Sequence, residues 1–466
     1  QRSRPLSRSR TPDHPTAMSS RIVRASKFRH VFCEPEKADN TYSGLSLSTQ
    51  TGDHTYVKGS TKFFSVAVRG GGGPVLVLPF EKTGRVAPGA PVITGHHGNV
   101  FDTDWNPFNP NMVATVSDDS TCKVWGIPDG GLTENLSEPL ADLRGHGKPV
   151  TFVQFNPAAN NVLATASKDH TVKIWDVEKQ EDKLTVEYGD GGLVQDLQWD
   201  REGKTVLVSS KDKKFRVFDV RANTTVAEWA AHEGAKCSKG VFLEAGSGKV
   251  MTVGFTKQSG REMRLWDLRD TSKKVKKVEI DTASGVIFPF YDEDTRMLYL
   301  AGKGDGNIRY YEMGDEKPFV YGIDEYRSSQ SAKGVFMLPK RSVDVMRCEV
   351  VKFLKLTTSA VEPLHFMVPR KSEAFQDDLF PDHAGFTPGT QADAWFDGAD
   401  DQPPKTSMNP SGSSGGAAGG AGGGAAATFK VAKSASVLQK ELDAANARIA
   451  ELEAEVAALK AAAGSA

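Results

Sequence analysis

The apolar positions of this chain fall in short blocks separated by polar turns, and the blocks repeat. VLATAS (162–167) and TVKIWDV (171–177) show the pattern. Both are too short for helices and rich in β-branched and aromatic residues, so they predict buried strands joined by a hairpin. The turn between them carries S-x-D, a position that suits Asp because it tolerates left-handed backbone angles and hydrogen-bonds its own turn. The phrase recurs as SDDSTCKVWGI (117–127), SKDHTVKIWDV (167–177) and SKDKKFRVFDV (210–220). In each, an Asp sits six residues before an aromatic: Asp119 to Trp125, Asp169 to Trp175, Asp212 to Phe218. Weaker copies are KGDGNIRYYEM, with Asp305 and Tyr311, and GREMRLWDL around Trp266, where Gly260 takes the Asp place. A period of about 40 to 50 residues with this content marks the blades of a WD40 propeller.

Upstream of the phrase, His96 stands four residues before Val100 and His146 four before Val150. His, Asp and Trp at these offsets predict a buried network within one blade, His96–Asp119–Trp125 and His146–Asp169–Trp175, each polar group satisfied by another. A metal or general-base role for the histidines fits less well. Asp190 takes the His place in the fourth blade, and a catalytic network would not shed its members blade by blade.

Trp125, Trp175, Phe218, Trp266 and Tyr311 mark five blades over 85–130, 138–178, 184–222, 226–270 and 277–320. A sixth precedes them, with TKFFSVAV and GPVLVLPF (61–80) as strands, and another follows with KGVFMLP, VVKFLKL and EPLHFMVP (333–369). The last blade lacks a strand, and KFRHVF (27–32) is a spare one, so pairing the two ends closes the ring without an exposed edge. The expectation is all-β: a seven-bladed propeller over 18–369 behind a disordered leader at 1–17.

After the propeller, 370–394 reads as an extension packed beneath it, with Phe375, Leu379 and Phe380 as anchors, and 395–428 as a Gly/Ala/Ser-rich linker. From 429 to 466 the period changes to a heptad seam. Leu442, Ile449 and Val456 fall at a, and Leu438, Leu452 and Leu459 at d, which predicts a short coiled coil. β-Branched residues at a favour two strands, whereas Arg448 at g and Glu453 at e can bridge neighbouring helices in a trimer. A trimer is favoured over a dimer.

The remaining composition restricts function. With 25% charged and 38% hydrophobic residues, no run reaches the eighteen or so apolar residues of a membrane span. A net charge of −1 argues against nucleic acid as a partner. Cys33, Cys122, Cys237 and Cys348 stand far apart, so neither a zinc site nor a disulfide framework is indicated. The glycines at 70–73 lack the Lys-Ser/Thr of a phosphate loop, and no Ser, Cys or His carries a nucleophile signature. No cofactor and no catalysis are expected.

Five segments resemble one family, the coronins: SKFRHVF (26–32), HEGA (232–235), GKGDGNIRYYE (302–312), LPKRSVDVMRCEVVKFLKL (338–356) and VPRKSEAFQDDLFPDHAG (368–385). The resemblance implies a cytoplasmic protein of the actin cytoskeleton and cell cortex that binds F-actin through the propeller. The coiled coil would then join propellers so that filaments are bundled or cross-linked. It also implies, more weakly, contact with the actin-nucleating Arp complex. A WD-repeat scaffold that does not touch actin is the alternative. Because a filament is acidic, basic patches are the candidate contacts: Arg21, Arg24, Lys27 and Arg29 near the closing strand, and Lys211, Lys213, Lys214 and Arg216 in the fourth blade. Lys273, Lys274, Lys276 and Lys277 form a third group. In YSGLSLS, Ser46 stands where many family members carry an Arg in the first blade.

Overall fold

The computed structural model describes residues 25–189 and 192–412. The expected leader, Arg21, Arg24, Asp190 and the heptad residues Leu438, Leu442, Arg448, Ile449, Leu452, Glu453, Val456 and Leu459 lie outside the described residues.

Seven antiparallel sheets follow one another along the chain and close into a ring. Blade 1 holds Val57–Gly59, Phe63–Ala67, Val75–Pro79 and Val92–Ile93. Blade 2 holds Val100–Trp105, Met112–Ser117, Thr121–Gly126 and Ala141–Arg144. Blades 3 to 6 repeat the plan, starting at Val150, Val194, Lys239 and Ile287. In blade 7, Gly334–Met337, Glu349–Leu356 and Ala360–Met367 come from one end of the propeller. Phe32–Pro35 and Tyr42–Ser43 pair onto the last of these from the other end. The second strands are the most thoroughly buried, because both of their faces pack on neighbouring blades; every residue of Val162–Ser167 is buried, hence the unbroken apolar text.

Two expectations shift. The repeat units read from sequence are offset from the sheets: the unit at 85–130 contains Val92–Ile93, the outer strand of blade 1, together with three strands of blade 2. The closing strand is Phe32–Pro35, in register with Met367 back to Leu364, rather than 27–32. Residues 27–30 form a turn, because Phe28 and Val31 are pulled into the cluster of Leu379, Phe380 and Phe366. The apolar positions of KFRHVF therefore serve a wedge at the ring seam.

Buried lysine–aspartate pairs tie blades together near the axis. Lys58 of blade 1 reaches Asp102 (3.1 Å) and Asp104 (3.5 Å) of blade 2. Lys239 reaches Asp196 at 3.3 Å, and Lys340 reaches Asp292 at 2.6 Å. Asp102 and Asp196 each follow a bulge at the start of an inner strand. The bulge turns the carboxylate towards the adjoining blade.

Beyond Val368 the chain forms a strap across one face. Arg341, between the first two strands of blade 7, donates to the carbonyls of Ala384 and His383, both at 2.6 Å. Asn160 and Gly203, between the first two strands of blades 3 and 4, contact Thr390 and Trp395. The strap thus crosses the face that carries the first-to-second and third-to-fourth strand loops, here called the lower face, over blades 3, 4, 6 and 7. Trp395 is only 1% exposed. It lies at 6.0 Å edge-on to Trp199, with Arg221 over its ring at 5.1 Å. The packed extension consequently runs past 395, where sequence placed the linker, as far as the pairing of His383–Ala384 with Lys405–Thr406.

Candidate functional site

The polar networks occupy the opposite, upper face. His96 Nδ1 meets Asp119 Oδ2 at 2.9 Å, and its Nε2 meets Thr115 Oγ1 at 2.7 Å. Trp125 Nε1 donates to the same hydroxyl at 2.8 Å. Blade 3 reproduces this with His146, Asp169, Thr165 and Trp175 at 2.7–2.8 Å. Burial alone would raise the carboxyls of Asp119 and Asp169. Hydrogen bonds from the histidine, a threonine hydroxyl and a backbone N–H instead hold both well below the usual carboxylate range. Each network is closed on itself and offers no open position to a substrate.

Blade 5 carries a third network that the spacing rule missed. His232 bonds Glu262 (2.9 Å) and Thr252 (2.9 Å), and Trp266 donates to Thr252 at 2.9 Å. Gly260 had been read as a lost Asp, but Glu262, two residues on, supplies the carboxylate with a longer arm. Burial would raise it, yet the hydrogen bond and charge of His232, with Arg264 and Lys277, bring it to about 2. Gly254 makes room, since a Cβ there would come within 2.5 Å of the His232 ring.

The candidate cations separate. Lys27 and Arg29 are exposed at the lower-face turn, and Lys27 donates to the carbonyl of Asp378 in the strap at 2.8 Å. Lys211 and Lys213 lie on the upper face, both exposed. Those two groups therefore do not form one patch. Lys214 is engaged with Glu228 at 2.5 Å. Arg216 is a correction: only 7% exposed, it bonds Asp212 (2.6 Å), Glu228 (2.8 Å) and Ser210 (2.8 Å). Phe218 has no N–H to give, and Arg216 fills the polar centre of blade 4 in place of the His–Trp pair. In the third group, Lys277 bridges Glu262 and Glu279, and Lys273 pairs with Asp270.

The second-to-third strand loops give the upper face its charge. They present Arg69, Lys168, Lys211, Lys213, Lys257 and Lys303. Of the acids in the same loops, Asp119, Asp169, Asp212 and Asp305 are already engaged by His96, His146, Arg216 and Arg261, while Asp118 is exposed. Basic charge is left facing solvent, a distribution the net charge of the chain conceals. The signal was present in the sequence as a Lys or Arg in the turns of blades 1, 3, 4, 5 and 6, but it becomes a surface only when the blades are arranged in a ring.

Comparison with known proteins gives the family. Coronin-A of Dictyostelium discoideum is 41% identical over 438 residues, covering 94% of this chain and 97% of that protein. This chain belongs to the coronin family. Human Coronin-2A is 39% identical over 394 residues, covering 83% of this chain and 75% of that one. The WD40 domain of Toxoplasma gondii coronin superposes with a TM-score of 0.77 at 34% identity, over 82% of this chain and 98% of that domain. A mitotic checkpoint complex chain, at 12% identity and a TM-score of 0.54, shares the fold alone. Family models match a domain of unknown function, DUF1899, at 21–85, WD domain G-beta repeats at 89–126 and 137–176, and a type of WD40 repeat at 361–403. The first of these spans the closing strand and the first three strands of blade 1 of this coronin. No helix among the described residues is long and apolar enough to cross a membrane.

Proposed function

We propose that this coronin binds actin filaments through the upper face of its propeller, and that its C-terminal heptads gather several propellers so that filaments are bundled. The observation that carries the reading is the charge of the upper-face loops, where Asp119, Asp169, Asp212 and Asp305 are internally neutralised and Arg69, Lys211, Lys213 and Lys257 are exposed, against one exposed acid, Asp118. A broad basic surface of this kind steers and holds an acidic polymer. The lower face is a poorer candidate, because the strap crosses it and Lys27 is engaged with Asp378. Lys211 and Lys213 belong to the proposed contact; Lys27 and Arg29 do not. A Gly-rich tether of about 22 residues between the end of the strap and 428 spans roughly 25 Å, which lets joined propellers seek separate sites. Arp-complex contact through the helical end and enrichment at the cell cortex are further parts of this reading.

High-speed co-sedimentation with actin filaments tests it. The full chain pellets with filaments at low salt, and Lys211→Glu with Lys213→Glu reduces the bound fraction. A full chain that remains in the supernatant at low salt leaves the scaffold reading in its place. Low-speed pelleting, with light scattering of the full chain against a truncation at 428, tests bundling and the trimer.

A further inference from the structure

The upper end of the central channel opens into a cavity of about 820 Å³ to which all seven blades contribute. Its wall is largely apolar, with Phe101, Phe152, Leu193 and Val286 among the lining residues. Leu193 is 42% exposed at the rim. Four lysines stand around this apolar wall: Lys168, Lys236, Lys303 and Lys333.

Three of the four have no carboxylate partner among the described residues. Lys168 lies over the Phe101 ring at 5.0 Å. Lys236 lies over Phe255 at 4.9 Å and donates to the carbonyl of Ser284 at 2.8 Å. Lys333 donates to the carbonyl of Ser48 and lies over Tyr56 at 5.4 Å. Only Lys303 has an acid, Asp53, at 3.3 Å. An independent observation comes from His54, which lines the same cavity. It is 9% exposed, packs on Phe152 at 4.7 Å, and its Nδ1 has no hydrogen-bond partner among the described residues. A buried imidazole nitrogen with no partner is costly unless a ligand satisfies it.

We propose that this cavity, which shares Lys168 and Lys303 with the basic upper face, also binds an acidic peptide segment of a partner protein in which carboxylates flank a large apolar side chain. The lysines supply the positive rim. The apolar side chain enters between Phe101, Phe152 and Leu193, and a polar group of the segment meets His54. Burial and the neighbouring lysines hold the His54 ring far below its ordinary pKa, at about 3, so it is neutral and can accept or donate according to tautomer. The wall favours a peptide over a small polyphosphate. A polyphosphate would gain from the lysines but would lose hydration against aromatic carbon without replacement, whereas a mixed segment uses both features of the site.

Fluorescence anisotropy with the full chain tests this. The probe is a fluorescein-labelled peptide, Gly-Asp-Glu-Leu-Phe-Asp-Glu-Gly, compared with one carrying Asn and Gln for Asp and Glu, one carrying Ser for Leu and Phe, and inorganic tripolyphosphate as competitor. The acidic peptide binds at low ionic strength, and both altered peptides bind about tenfold or more weakly. Lys168→Glu with Lys236→Glu causes a loss of the same size. A measurement that needs no variant accompanies it: in the wild-type chain, bound peptide protects Lys168 and Lys236 from acetylation, read by mass spectrometry. Absence of binding, equal binding of the amide peptide, or unprotected lysines overturns the proposal. Tight tripolyphosphate binding without peptide binding overturns it too and reassigns the cavity to phosphate ligands.

Discussion

Arg69 donates its backbone N–H to the carbonyl of Ser46 at 2.8 Å. The adjoining bridge, Leu47 to Val68, places the two residues opposite each other across an antiparallel pair, and both are exposed. Side chains directly opposite in such a pair stand on one side of the sheet. Position 46, where the family resemblance leads one to expect an Arg, is uncharged here, yet a cation stands one strand away. Arg69→Glu is expected to reduce filament binding in co-sedimentation, and Ser46→Arg to increase it. Unchanged binding in both variants would remove blade 1 from the contact.

Thr165 has no exposure, and its hydroxyl serves both Trp175 and His146. Thr165→Val keeps the shape and leaves a buried indole N–H and an imidazole nitrogen unpaired, a cost of about 1–3 kcal/mol for each group. The urea midpoint of the propeller should fall without loss of strand signal in circular dichroism. Thr252→Val tests the same dependence in blade 5.

The pH dependence follows from the same networks. Asp119, Asp169 and Glu262 titrate below their unfolded values. Their stabilisation is present above about pH 4.5, the unfolded carboxylate range, and is lost as pH falls towards the folded values, about 2 for Glu262. Burial also lowers the pKa of His232, so protonation favours the unfolded chain as pH falls below about 6.5. Melting temperature should decline through this acid range, and Glu262→Gln should flatten the lower part of the decline.

Trp395 anchors the strap far from where the chain leaves blade 7. Trp395→Ala removes an aromatic of the kind whose loss costs about 3–5 kcal/mol when buried. It also leaves Arg221 without the ring beneath it. Limited proteolysis should then cut within the strap while the blades stay intact. An unchanged digestion pattern would show that the remaining contacts, the ion pairs of Lys204 and Arg221 with Asp400 and the bonds of Arg341 and Asn160 among them, suffice to hold the strap.

Ring closure predicts a sharp difference between two truncations. A chain starting at Ala25 keeps Phe32–Pro35, whereas one starting at Ala38 exposes the Leu364–Met367 edge and keeps only Tyr42–Ser43 on Val361 and Ala360. The second should lose its cooperative melt and aggregate, because an unpaired strand edge is a template for further pairing.

The blades were legible in the sequence because a six-residue strand buried on both faces and a turn with a fixed Asp leave a strong local pattern. Three kinds of feature were not. Thr115, Thr165 and Thr252 look like ordinary strand residues; only the fold brings each between a His and a Trp. Glu262 and Arg216 depart from the expected offsets because side-chain length can replace backbone position. Trp395 sits beside Gly- and Pro-rich text that reads as a linker, and its partners, Trp199 and Gly203, are nearly two hundred residues away. The basic upper face depended on the ring as well, since its cations come one from each of several distant turns.

The strap has a geometric consequence for any assembly of this coronin. The chain returns along the lower face and pairs Lys405–Thr406 beneath blade 7, so everything after that point starts from that side. In the proposed assembly, a tether attached there would leave from the back of each ring, so that joining copies keeps the junction clear of their open faces.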